Sequence, residues 1–156
     1  VVQKTRKIEV KIPAGATDGT NLRIQGEGEA TRGLSSGDLY IVIHVKPHGV
    51  FERHGNDVYV KVPVSFAAAA LGGEIEIPTL KGKATLKIPS GTQSNTVFRM
   101  RHLGIPDLRS HHVGDENVEV VVSVPEKLTK KQKKLLEEFE KEDKSSKKGF
   151  FKDVFG

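Results

Sequence analysis

Apolar residues alternate with polar ones along much of the chain, and the alternation comes in short runs. Ile8, Val10 and Ile12 are interleaved with Lys7, Glu9 and Lys11, the two-residue period of a strand with one buried face. Pro13 stops that run. A turn through Gly15 and Asp18-Gly19 leads to a second predicted strand carrying Leu22 and Ile24. A glycine-rich, polar loop from Gly26 to Gly37 follows, and Leu39, Ile41, Ile43 and Val45 make a third strand.

The same order returns later. Lys11-Ile12-Pro13-Ala14-Gly15 matches Lys87-Ile88-Pro89-Ser90-Gly91, and in that register Thr20 meets Thr96, Leu22 meets Phe98, Arg23 meets Arg99, Ile24 meets Met100 and Gly28 meets Gly104. One residue later, Gly37-Asp38 meets Gly114-Asp115, each pair opening an apolar strand. The second copy predicts strands through Ala84, Leu86 and Ile88, through Phe98 and Met100, and through Val118, Val120, Val122 and Val124. Two copies are too few for a closed propeller or a long solenoid. The expectation is an all-β fold of two tandem, small β-sandwich-like domains with repeated topology.

Different material lies between the copies. Val58, Val60, Val62 and Val64 alternate strictly. Ser65 is placed to cap a short helix ending at Leu71, with Gly72 as its stop. Glu74 to Ile77 returns to a strand closed by Pro78. A domain boundary is expected near His54 to Asn56, where charge and glycine interrupt the apolar pattern.

The last quarter changes period. Thr129 is the expected N-cap of a helix whose stripe is Leu128, Gln132, Leu135, Leu136 and Phe139. Its lysines come early and its acids late, against the helix macrodipole; the pairs Lys133–Glu137 and Lys134–Glu138 recover part of the cost. Two such helices packed antiparallel would match lysine ends to acidic ends, which suggests a symmetric dimer. The alternative is that the helix packs on its own sheet. Beyond a Ser-Ser-Lys-Lys linker, Phe150, Phe151, Val154 and Phe155 are expected to dock, on this chain or on a dimer partner.

Composition narrows the function classes. The 156 residues are 36% hydrophobic and 29% charged, which is globular rather than disordered. With no cysteine, disulfides and thiolate metal sites are excluded, and a reducing cytoplasm is permitted. The chain starts at Val1, so its N-terminus is expected to be a cut, and no signal peptide is visible there. No apolar run approaches the roughly 18 residues that span a bilayer. The net charge of +5 sits mostly between Lys127 and Lys148, mixed with acids, as on a solvated helix face; neither a membrane nor a nucleic acid is the expected partner.

Catalytic chemistry is not evident. His111 and His112 are adjacent in a loop and lack the spacing of zinc ligands. Gly26-Glu27-Gly28-Glu29-Ala30 lacks the third glycine and the following helix of a dinucleotide site. No serine has a nucleophile-elbow context, and no carboxylate pair is set in an apolar cleft. The expectation is no enzyme and no catalytic residue. A binding module fits better. Phe51, after Pro47-His48-Gly49-Val50, either joins a core or lines an apolar groove, and open sheet edges could pair with an extended peptide.

Several long segments resemble the C-terminal half of the bacterial DnaJ co-chaperones. "KIEVKIPAGATDGTNLRIQGEGEA" (7–30) is similar to the segment after that family's zinc region. "GDLYIVIHVKPHGVFERHGNDVYVKVPVSFAAAALGGEIEIPTL" (37–80) is similar to the junction of its two C-terminal domains, and "KIPSGTQSNTVFRMRHLGIPDL" (87–108) to its second domain. "LTKKQKKLLEEFEKE" (128–142) resembles its dimerisation helix, and "GFFKDVF" its end. The resemblance implies an incomplete domain I at 1–54, domain II at 55–126, a dimerisation helix at 127–143 and a tail at 144–156. No His-Pro-Asp loop and no cysteine-rich zinc region occur, so no metal or cofactor is expected. It further implies a shallow groove on domain I for unfolded polypeptide clients, which are then handed to a DnaK-type chaperone in the cytoplasm. Phe51 falls on the groove phenylalanine of a "PHxxFxR" pattern. Leu22, Ile24, Ile41 and Ile43 lie on the domain I strands, and Leu128, Leu135, Leu136, Phe139, Phe150 and Phe151 are implied in a homodimer. A second reading keeps only the last role: a dimerisation or structural module with no client affinity of its own.

Overall fold

The structure is a computed structural model that describes residues 5–30 and 32–155; the side chains of 144–153 and 155 lie outside the described set. The chain forms two compact units, one reaching Val122 and one beginning at Ser123.

The first unit is built of β-strands. β1 (Asn21–Ile24) and β2 (Leu39–Val42) form a two-stranded antiparallel ribbon in which Leu22 opposes Ile41 and Ile24 opposes Leu39. Then come β3 (Glu52–His54), β4 (Asp57–Ser65), the short helix α1 (Phe66–Leu71), β5 (Gly73–Thr79), β6 (Gly82–Ile88), β7 (Val97–Met100) and β8 (Glu116–Ser123). One sheet has the order β3-β4-β8-β7, and β5 with β6 forms a separate hairpin. The all-β reading with a C-terminal helix holds. So does the α1 cap: Ser65 Oγ accepts from the Ala68 amide, and Gly72 ends the helix at φ 74°. β5 does not stop at Pro78, which pairs with Lys83 inside the hairpin.

The core is shared between the segment that joins the copies and the second repeat. Val60 and Val64 of β4, Ala69 of α1, Ile77 of β5, Leu86 and Ile88 of β6, and Val118 and Val120 of β8 pack as one cluster. These are the inward positions of the period-two strands, so the alternation seen in the sequence becomes one face of each layer.

The internal repeat is also a repeat of hydrogen bonds. The Gly19 amide donates to Ile43 O, and the Asn95 amide to Val120 O; Ile43 N donates to Thr20 O, and Val120 N to Thr96 O. Gly28 N donates to Gly37 O and Gly104 N to Gly114 O, both at 2.8 Å. Arg23 pairs with Asp38 and Arg99 with Asp115. The same two aspartates accept from the amides of Gly26 and His102. Gly19 and Gly26 have φ of 83° and 74°, and their counterparts Asn95 and His102 hold 69° and 62°. The left-handed turns are therefore fixed by the hydrogen-bond frame, and a non-glycine residue is tolerated there.

One predicted strand is missing. Residues Ile8 to Ile12 alternate as β6 does but form no strand, and Ile12 is exposed. β6 exists because β5 pairs with it along its whole length. Among the described residues, Ile8 to Ile12 has no such partner, and unpaired backbone stays with water. The first repeat is thus a ribbon rather than a sandwich.

The second unit is α2 (Lys130–Phe155). Thr129 caps it as expected: its Oγ1 accepts from Gln132 N at 3.1 Å, and Gln132 Oε1 accepts from Thr129 N at 2.9 Å. This reciprocal pair is a capping box, so Gln132 serves the cap. The Ser-Ser-Lys-Lys stretch read as a linker is helical, because serine and lysine cost a helix interior little.

Two positions make the packing testable. A Cβ at Gly104 would lie 2.5 Å from the Gly114 carbonyl carbon and 2.6 Å from Asn56 O. Gly104→Ala should lower unfolding stability by more than about 2 kcal/mol in denaturant titration. Glu116, the counterpart of Leu39, is wholly buried with neither carboxylate oxygen hydrogen-bonded, and burial pushes its carboxyl up to about 7. A raised folded value favours folding below the ordinary value of 4.5 and loses that contribution as pH rises to 7. Stability should fall across that window, and Glu116→Leu should abolish the slope and add on the order of 1–3 kcal/mol at pH 8.

Candidate functional site

The repeat gives each residue of the first ribbon a counterpart in the second; those of β1 are as half-buried as their counterparts on β7, and the contrast lies between β2 and the buried residues of β8. Leu22, Ile24, Leu39, Ile41 and Ile43 share one face of β1–β2 and its continuation, and all five are half-buried. Their counterparts are Phe98, Met100, Glu116, Val118 and Val120. Val118 and Val120 have 0% exposure. The β5–β6 hairpin supplies the inner face that packs with them in the core. No described segment forms an equivalent layer for the first ribbon. The edges differ likewise. β8 has β7 on one side and β4 on the other, whereas among the described residues β2 pairs with β1 alone. The first repeat therefore presents an incompletely covered apolar face next to an open strand edge, the combination that accepts an added strand.

A cleft of about 570 Å³ opens beside it. Its apolar wall is made by Val45 and Pro47 after β2, Phe51 before β3, Val58 of β4, Leu80 at the hairpin tip and Ile105 after β7. Asp18, Lys46, Glu52 and Arg53 set charge at its rim. Phe51 has both of the roles left open by its sequence: it is half-buried against the core cluster, and it lines the cleft.

Arg53 fixes the two sides of this cleft. Its Nε donates to Gly55 O at 2.7 Å, its Nη1 to Ala16 O at 2.8 Å and its Nη2 to Gly15 O at 3.1 Å. The turn it grips is pressed against the second repeat, since a Cβ at Gly15 would lie 2.2 Å from Pro106 O. Asn56 joins the same junction: its carbonyl accepts from Ile105 N, and its Nδ2 donates to Asp107 Oδ2. The amide of Arg109, then Asn56 and Ser110, holds the Asp107 carboxyl below its ordinary value. Sequence reading placed Arg53 in a pattern but gave it no role, because its partners are backbone carbonyls far away along the chain.

The remaining site residues lie on the second unit and are described by themselves. Leu128, Leu135, Leu136 and Phe139 are exposed, the last at 55%. Phe150 and Phe151 have side chains outside the described residues. Among the described residues no group of three His, Asp or Glu side chains is placed to hold a metal ion, and no helix is long and apolar enough to cross a membrane.

The described residues up to Val122 form a two-copy β module with an open ribbon and a cleft at the junction of the copies, and sequence comparison places the chain in a family. The profile of the family described as "DnaJ C terminal domain" matches residues 1–125, and the chain belongs to that family. It is 56% identical over 140 residues to a chaperone protein DnaJ of Geobacillus sp. (strain WCH70), covering 89% of this chain and 37% of that one. It is 52% identical over 157 aligned positions to a chaperone protein DnaJ of Desulfitobacterium hafniense (strain DSM 10664 / DCB-2), covering 97% and 42%. The chain thus spans about two-fifths of the length of these relatives.

Losing the three-way grip should loosen the junction. Arg53→Lys keeps the charge but not the planar fork, and should lower stability by about 1–3 kcal/mol in thermal unfolding.

Proposed function

We propose that this chain binds non-native polypeptide segments, as part of a DnaJ-type co-chaperone that passes them to a DnaK-type ATPase chaperone in the cytoplasm. The observation that carries the reading is the contrast between the repeats: Val118 and Val120 are sealed, while their counterparts Ile41 and Ile43 are covered only in part. An extended client adds a strand along β2 and lays apolar side chains on Leu22, Ile24, Ile41 and Ile43, with Phe51 as an anchor in the cleft. Backbone pairing supplies affinity without regard to sequence, so many clients are accepted. The work needs no metal, cofactor or bond-making residue.

The assembly reading is kept beside it, because Leu135, Leu136 and Phe139 are exposed on one helix. In it, α2 pairs two copies antiparallel, and domains at 1–54 and 55–126 are carried by that dimer.

Phe51→Ala should weaken binding to a fluorescent, permanently unfolded reporter at least about threefold with an unchanged circular dichroism spectrum, since an exposed part of a phenylalanine contributes on the order of 1 kcal/mol. Unchanged affinity would assign Phe51 to the core alone. Replacing Lys133 and Lys134 by glutamate should lower the sedimentation coefficient of a dimer, and the same value as the parent would reject antiparallel pairing.

A further inference from the structure

The segment between β2 and β3 turns sharply through Pro47, His48, Gly49 and Val50, and no strand ladder takes up its amides. One side chain does. The Val50 amide donates to His48 Nδ1 at 3.0 Å and the Phe51 amide donates to the same nitrogen at 3.2 Å. Two N–H groups converge on Nδ1, so that nitrogen carries its lone pair and the ring proton lies on Nε2. The geometry is that of an aspartate or asparagine turn, in which a side chain accepts from amides two and three residues ahead. The imidazole ring also lies 5.3 Å from the Phe51 ring, tilted by 49°, an ordinary spacing for an attractive ring pair. Phe51 is thus held on one side by the core cluster and on another by His48, with its remaining surface on the cleft.

We propose that His48 is a positioning residue for Phe51: it holds the turn that fixes the pose in which the phenylalanine ring meets an apolar side chain of a bound polypeptide. This rests on the reading of the cleft as a client site. The role follows from the acceptor at Nδ1. Without it, two amides turn to water, the turn samples other conformations, and apparent affinity falls with the fraction in which Phe51 is placed to bind.

Asparagine and glutamine separate this from a contact role. Asparagine places an oxygen where Nδ1 lies, and glutamine places its amide where Nε2 lies. Hydrogen exchange of the Val50 and Phe51 amides should stay at the parental rate in His48→Asn and quicken in His48→Gln. With a fluorescent apolar peptide and anisotropy as the readout, His48→Asn should bind within about twofold of the parent and His48→Gln about fivefold more weakly. Equal affinity of the two variants overturns the proposal: equal to the parent, the turn does not matter; equally weak, the ring itself touches the peptide. Phe51→Ala in the same titration isolates the underlying reading. Parental affinity there removes Phe51 from the site, and with it the premise of the His48 role, whatever the His48 variants do.

Discussion

A strand that buries one face needs two things, a neighbour for its backbone and a layer for its side chains. The second repeat has both. β8 lies between β4 and β7, and the β5–β6 hairpin contributes the inner face that packs with its valines. The first repeat has β1 against β2 and no covering layer among the described residues. Its turns, its arginine–aspartate pair and its backbone bonds are those of the second repeat. The ribbon is therefore held in its native shape although its apolar face is partly open. Shape without cover is what a receptor for another chain requires.

The size of the effect suits transient binding. Covering the exposed third of one leucine or isoleucine is worth about 0.5–1 kcal/mol, so five such residues supply on the order of 2–5 kcal/mol before backbone pairing. Ordering a flexible partner and losing its free motion consume much of that. On the proposed function, the result is capture that is broad and reversible. The rigid parts of the junction matter for the same reason: Arg53 on the carbonyls of Gly15 and Ala16, and Asn56 on Ile105 and Asp107, keep the walls in place so that none of this small gain goes into arranging the site.

Much of this was legible in the sequence. The duplication was visible in paired glycines, Gly28 with Gly104 and Gly37 with Gly114, because close backbone approach admits no side chain at Gly28, Gly104 or Gly114. The alternating valines of β4 and the Ser65 cap were legible because period and capping are local. Pairing is not local. The run from Ile8 to Ile12 has a strand's alternation but no partner, and alternation alone cannot make a strand. Arg53 and His48 were hidden because both bind backbone atoms, which have no sequence signature. The helical course of Ser145 and Ser146 was missed because a polar, lysine-rich stretch is compatible with either linker or helix.

The central claim is that the uncovered face and edge of the first repeat take up an extended polypeptide. Amide hydrogen exchange read residue by residue, with and without a saturating apolar peptide, tests it most directly. Slower exchange confined to the β2 edge at 39–45 and the turn to Phe51, with β5 and β6 unaffected, is the result expected. Slower exchange confined to α2, or to the β5–β6 hairpin, would show that the peptide is held elsewhere and that the open ribbon is not its seat.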